Sequence, residues 1–358
     1  MPPDPYKLLA ERLDALPNGF PPTLDGAELR LLAKLFTPEE ALLACQLRLT
    51  PETPTQIADR MGGKPAQVRK KLKEMARRGL ISVERAESGL GYRLMPFVIG
   101  IYEMQVDHID IELARLFEDY YKQSFGQALA VQPQFHRVIP VNETIKAGIE
   151  IRPYESAAEI VNAAQAWGVA DCICRKQKAL IGEPCSHPLD MCMWMSSTPG
   201  VFDNIPTVRP LTHEGALTTL RRAAEAGLVH CVSNNQRGTW YICNCCTCSC
   251  GILRGIAELG LANAVARSAF VIQVNEELCI ACDDCVDACQ FGAITVATAA
   301  QINENKCVGC GVCVIACPEK VLELVRRSTD EVQPPPETGD DWLEARAAAR
   351  GISMKPIL

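Results

Sequence analysis

The sequence predicts a multidomain α+β chain, and three observations carry that reading. Residues 26–95 give apolar residues at helical spacing and then two short strand-like runs. Residues 172–250 mix helix and strand patterns around ten cysteines. Residues 279–317 hold two copies of the spacing C-x₂-C-x₂-C-x₃-C, about 28 residues apart. We divide the chain into residues 1–100, 101–268, 269–327 and 328–358.

With 358 residues and ordinary apolar content, each of two or three domains can bury a core. No run of about 18 apolar residues occurs, so no membrane span is expected. The start, Met1-Pro2-Pro3-Asp4, lacks the basic-then-apolar pattern of a leader. A cytoplasmic location is therefore expected, where nineteen cysteines argue for metal rather than disulfides. The net charge of −7 argues against a chain built wholly around nucleic acid, but leaves room for one basic module.

In the first part, Leu29, Leu31, Leu32 and Leu35 mark a helix over Gly26–Phe36. Thr37-Pro38-Glu39-Glu40 is a helix start, and that helix runs through Ala41–Leu49 with Cys45 on its core face. Thr53–Gly62 and Pro65–Gly79 are two helices joined at Gly62-Gly63. Leu80–Val83 and Gly91–Leu94 are strands about a loop over Glu84–Leu90 containing Glu84, Arg85 and Glu87. The second helix is basic, with Lys64, Arg69, Lys70, Lys71, Lys73, Arg77 and Arg78 against Glu74. With the phrase Leu72-x₂-Met75-x₃-Gly79-Leu80-Ile81, this part resembles the winged helix-turn-helix domains of MarR- and ArsR-type regulators. The resemblance implies either a DNA reader or, as the preferred reading, the same shape reused for docking.

Between the cysteine-bearing parts, Ile109–Tyr121 and Ser156–Trp167 read as helices and Pro133–Arg152 as extended. His108 and His136 stand alone and read as structural.

The middle cysteines, Cys172, Cys174, Cys185, Cys192, Cys243, Cys245, Cys246, Cys248 and Cys250, read as metal ligands, with Cys231 set aside. Zinc and a cubane each need four ligands, so these thiols suffice for up to two further [4Fe–4S] clusters, and zinc stays open. If 243–250 is extended, Cys246, Cys248 and Cys250 face one way and Cys243 and Cys245 the other, so the run feeds two sites. Arg175, Arg254 and the start of a helix at Gly251–Ile256 offer positive charge to these thiolates; a surface ion pair is the other reading of each arginine. His187 reads as a packed turn residue, with ligation the alternative. Thr212–Leu228 is an amphipathic helix, and Val229–Val232 and Trp240–Ile242 form a hairpin, an order that echoes residues 65–94. The pattern C-x-C-R … C-x₆-C … C-N-C-C is similar to poorly characterised ferredoxin-family proteins of anaerobes.

The two C-terminal runs are Cys279, Cys282, Cys285, Cys289 and Cys307, Cys310, Cys313, Cys317, the last followed by Pro318. They resemble bacterial two-cluster ferredoxins. The resemblance implies a ferredoxin-like dicluster domain with crossed ligation. One [4Fe–4S] cluster would take Cys279, Cys282, Cys285 and Cys317. The other would take Cys307, Cys310, Cys313 and Cys289. Gln290 stands where the family has a second proline. Ala293–Val296 and Val321–Leu324 fit the small strands of such a fold.

Residues 328–341, with Pro334–Pro336, read as a linker, and Asp341–Arg350 as a short helix whose Trp342 docks on its own chain or a partner. The function expected is electron transfer between a redox partner protein and [4Fe–4S] clusters, as a subunit of an oxidoreductase complex in an oxygen-poor cell. No catalytic residues are assigned. The alternatives are a redox-sensing regulator that binds DNA through the first domain, and a reductase using an open middle cluster.

Overall fold

A computed structural model describes residues 3–86 and 89–355. The chain divides into two compact units. One holds the chain up to Val131, Leu180–Gly182 and the stretch from Leu343 on; the other holds Gln132–Ala179 and Glu183–Trp342.

The first unit begins with helices α1 (Pro5–Asp14), α2 (Ala27–Leu35), α3 (Pro38–Ala44), α4 (Pro54–Met61) and α5 (Pro65–Arg77). Thr37 and Thr53 open α3 and α4 with capping boxes, each hydroxyl accepting an N–H from Glu40 or Gln56 while those side chains accept the threonine's own N–H. The expected α3 is shorter than its spacing suggested, and Cys45 forms its C-cap, partly exposed, rather than a core position. Gly62, in the left-handed region at φ 71°, ends α4 and starts the turn to α5. Ile57, Ala58, Leu72 and Met75 fill the seam between these helices. Strands β1 (Ser82–Ala86) and β2 (Gly89–Arg93) pair antiparallel. The Glu87 of the expected loop lies outside the described residues. Helices α6 (Ile111–Tyr120) and α7 (Gly126–Ala130) complete the unit's N-terminal part. The stretch from Leu343 on belongs to this unit as well. An aromatic cluster of Phe20, Phe97, Tyr102, Phe117, Tyr120, Tyr121 and Phe125 forms much of the core.

In the second unit, β3 (His136–Ile139), α8 (Ala157–Asn162), β4 (Ala166–Ala170), α9 (Ile173–Leu180), β5 (Cys192–Ser196), β6 (Arg209–Leu211), α10 (His213–Glu225), β7 (Val229–Ser233) and β8 (Tyr241–Cys245) build one six-stranded antiparallel sheet with helices. Its strand order is β3-β7-β8-β5-β4-β6. The expected helix over Ser156–Trp167 stops at Asn162, and Trp167 belongs to β4. The expected hairpin forms as β7 and β8, but it sits inside this sheet, not in a separate repeat of the first domain's hairpin.

After α11 (Arg254–Ala257), β9 (Phe270–Val274), α12 (Asp284–Ala288), β10 (Ile294–Val296), β11 (Ala300–Ile302), α13 (Val312–Ala316) and β12 (Leu322–Arg326) make two two-stranded sheets, β9 with β12 and β10 with β11. The final helix, α14 (Gly339–Ala349), follows residues that are no free linker. Gln236 and Arg237 donate backbone N–H groups to Pro336 and Glu337 carbonyls at 2.9 Å each. Trp342 docks on its own chain: its Nε1 donates to the Gln134 carbonyl at 2.8 Å, and its ring lies 6.1 Å from Phe135.

Candidate metal centres

The two C-terminal runs repeat in backbone as well as in spacing. Left-handed residues recur at equivalent places: Ala281 (φ 55°) and Gly309 (φ 71°), Asp283 (φ 67°) and Gly311 (φ 83°), Gly292 (φ 56°) and Lys320 (φ 54°). The first two pairs curl their cysteine loops inward, α12 or α13 then carries the chain to the fourth cysteine, and the third pair turns the chain after it. One cavity is lined by Cys279, Cys282, Cys285 and Cys317, with Val296, Val321 and Leu322. A second, of similar size, is lined by Cys289, Cys307, Cys310 and Cys313, with Ile272, Phe291 and Ile294. Each cavity thus gathers three thiols of one run and the last thiol of the other. Burial pushes the Cys310 thiol up to about 12 and raises Cys285 and Cys313 too. Thiols held in apolar surroundings keep their protons unless a metal takes up the thiolate charge. Four converging thiols, near-equal cavities and apolar walls fit one cubane in each.

Gln290 has a different task from the proline it replaces. Its Nε2 donates to the Gly227 carbonyl at 2.5 Å, and its Oε1 accepts the Thr247 N–H at 2.7 Å. This ties the exit of the first run to the dense middle run.

The middle cysteines divide according to the sheet. In antiparallel strands, directly opposed residues share a face and alternate residues along a strand share it too. Cys192 of β5 opposes Cys243 of β8, and Cys243 opposes Cys231 of β7. These three and Cys245 therefore stand on one face. The neighbouring residues Met193, Val232 and Ile242 point the other way, into an apolar core with Ile139, Val161 and Leu220 from β3, α8 and α10. Cys172 and Cys174, at the start of α9, and Cys250 join the thiol face. Cys172 is in hydrogen-bond contact with Cys174, Cys174 with Cys250, Cys250 with Cys245, and Cys243 with Cys192. The neighbouring thiols and burial hold Cys172 and Cys243 well above the ordinary thiol range. The hydrogen bond with Cys231 and burial bring Cys245 up to about 12.

Cys231 belongs to this row, although no local pattern of residues points to it. Its contact with Cys245 lowers its pKa, but burial and the nearby thiols Cys250 and Cys310 raise it on balance. Cys310 lines the second C-terminal cavity, so a thiol of that cavity acts electrostatically on the row. His136 joins Cys231 and Cys245, with ligand atoms within 4.8 Å of one another. It is buried beside the Tyr241 ring, so the isolated structural histidine of the sequence lies among thiols.

A second group forms where the chain leaves β8. The run is extended only to Cys245; beyond it, Cys250 donates its N–H to the Cys246 carbonyl at 3.0 Å, and the residues between make a turn. The alternation expected across 243–250 therefore fails after Cys245. Cys246 and Cys248 go to one group with Cys185 and His187, and Cys250 goes back to the row of Cys245. His187 is thus close to three thiols, its Nδ1 3.8 Å from Cys248 Sγ. Arg175, buried at 3% exposure, donates to the Pro188 and Asn244 carbonyls at 2.9 and 2.6 Å and bonds Cys246. It is no surface ion pair. Arg254 is an ion pair after all, with Glu258 at 2.7 Å, though its guanidinium is buried. The Gly251–Ile256 helix start shrinks to the four-residue α11.

All nineteen cysteines are unpaired by disulfides. Among the described residues, no helix is long and apolar enough to cross a membrane.

Comparison with known proteins adds one match. The family model of a 4Fe-4S dicluster domain matches residues 278–321. No curated protein and no solved structure matches the chain. The doubled cysteine spacing, the two four-thiol cavities and this match agree: the chain carries a ferredoxin-type domain towards its C-terminus, which supports an iron–sulfur electron-transfer role.

Proposed function

We propose that the chain relays single electrons as a subunit of an oxidoreductase assembly, exchanging them with a redox partner protein. The carrying observation is that each of two cavities collects four cysteines drawn from both C-terminal runs. On this reading Cys279, Cys282, Cys285 and Cys317 hold one [4Fe–4S] cluster, and Cys289, Cys307, Cys310 and Cys313 the other. When bound, such clusters supply one-electron carriers whose potential follows their hydrogen bonds and exposure.

The protein's own groups serve that role. The Ala293 N–H points at Cys289 Sγ at 3.4 Å, a hydrogen bond that favours the thiolate. Arg327, buried, donates to the Phe270 and Cys307 carbonyls at 3.0 and 2.7 Å and fixes the entry of the second run. Cys282 is exposed, which turns the first cavity towards a partner, whereas Cys307 and Cys313 of the second are buried. The row Cys172, Cys174, Cys192, Cys243, Cys245 and Cys250 seats a further cluster, and Cys231 in that row feels the charge of Cys310. The direction of the relay is thus from the exposed Cys282 end inwards, or the reverse. Rapid mixing of the anaerobically reduced chain with a one-electron acceptor tests this. Full oxidation of all iron–sulfur absorbance in one connected process is expected. A middle centre that stays reduced while the C-terminal centres are oxidised would contradict the relay.

A second reading rests on helix α5. Lys64, Arg69, Lys70, Lys71, Lys73 and Arg77 are exposed there, and among the described residues none forms an ion pair; Arg78 alone is engaged, with Glu40 at 2.7 Å. Here the helix–turn–helix and hairpin of α4, α5, β1 and β2 form a winged helix that docks on DNA. Anisotropy of labelled duplex DNA at 50 and 200 mM salt decides it: a regulator loses about 10³-fold or more in affinity over that range, and a docking module does not bind at either.

A further inference from the structure

We infer that Cys185, His187, Cys246 and Cys248 hold a single four-coordinate zinc ion, separate from the buried thiol row. Their ligand atoms all lie within 4.8 Å of one another, and His187 Nδ1 to Cys248 Sγ is 3.8 Å. A tetrahedral zinc with Zn–S of about 2.3 Å and Zn–N of about 2.0 Å needs edges of about 3.5–3.8 Å, so a small closure of this group completes the site. In a cubane each thiolate binds a different iron, which sets the corner sulfurs well apart. One metal atom shared by four close ligands fits these residues, and a cube does not.

The chemistry of the donors points the same way. Three cysteines and one histidine are a structural zinc set with all four positions filled. Two pairs with one residue between them supply it, Cys185-x-His187 from the loop before β5 and Cys246-x-Cys248 from the turn after β8. Three thiolates around Zn²⁺ leave one negative charge, and the buried Arg175 guanidinium bonded to Cys246 offsets it. The buried Ser249 presents its hydroxyl to Cys248 Sγ at 3.8 Å, the kind of outer contact that orients a ligand. Zinc carries no electron, so this centre staples a loop to a turn. That turn holds Thr247, whose N–H is bonded to Gln290 beside Cys289. The zinc therefore fixes a backbone group that touches the C-terminal domain.

The test is zinc and iron analysis of the full chain purified without oxygen, with X-ray absorption at the zinc edge. One zinc per chain is expected, in a shell of three sulfurs at about 2.3 Å and one nitrogen at about 2.0 Å. Cys248→Ser should lose the zinc and keep its iron. His187→Cys should keep the zinc and change the shell to four sulfurs, which decides the matter even if Cys248→Ser does not fold. Wild-type chain without zinc, a shell unchanged in His187→Cys, or iron lost along with zinc in folded Cys248→Ser would overturn the assignment. Iron content and EPR report on the electron relay separately, so each proposal can fail without the other.

Discussion

At Gly309 the chain has no room for a side chain. A Cβ there would lie 2.1 Å from the Phe270 carbonyl oxygen and 2.2 Å from Ser268 Oγ, and φ is +71°. Gly62 has the same φ of +71° but nothing within 4 Å. Gly62→Ala should therefore cost about 1 kcal/mol, the conformational strain alone. Gly309→Ala should cost more than about 3 kcal/mol and release the second cluster; denaturation followed by iron–sulfur absorbance separates the two. Glu103 is a second residue with a readable consequence. Burial raises its carboxyl to about 7, against the pull of the Gly100 N–H bonded to it at 2.6 Å. The folded value lies above the unfolded one of about 4.3, so the folded state binds the extra proton in between. The stability from this group is full below about pH 4 and is lost as pH rises through 7. Glu103→Gln keeps an acceptor for Gly100, and should flatten that slope and gain on the order of 1–3 kcal/mol at pH 8. Parallel pH profiles for the two proteins would refute the assignment.

The elements show what the sequence made legible. The C-terminal runs were readable because three ligands of each site are local: three cysteines within seven residues, and a left-handed turn to curl them. The thiol face of the sheet was half readable. Cys243 and Cys245 alternate within one strand, but Cys192 and Cys231 join them through register, which no local pattern displays. His136 looks structural in the sequence for the same reason, since Cys231 and Cys245 lie far along the chain; His187 has only Cys185 nearby, and Cys246 and Cys248 are distant in sequence. The split of 243–250 differs from a simple alternation because the turn after Cys245 ends the two-residue period. The helix–turn–helix of α4 and α5 was legible from its capping residues and Gly62. At this scale Gln290 links two elements, and Gln290→Pro, the family's own residue, removes both of its hydrogen bonds. A loss of about 1–3 kcal/mol is expected with cluster iron retained; iron loss at unchanged stability would show that Gln290 instead protects a cluster.

Over the whole molecule, the chain end closes the first unit. Arg346 is fully buried and donates to the carbonyls of Pro17, Val131 and Ala128 at 2.9, 2.7 and 2.5 Å. Arg350 adds an ion pair with Asp14 at 2.8 Å. Arg346→Met leaves buried carbonyls without donors and should cost about 3–5 kcal/mol, lowering the melting temperature. The second unit carries every cysteine except Cys45, and with it the central claim, that a middle cluster and the two C-terminal clusters form one connected set. The most direct test is iron and acid-labile sulfide per full chain purified without oxygen, with the EPR spectrum of the reduced form. About twelve irons, as three cubanes with mutually broadened signals, are expected. About eight irons or fewer, with sharp signals from centres that do not interact, would contradict it.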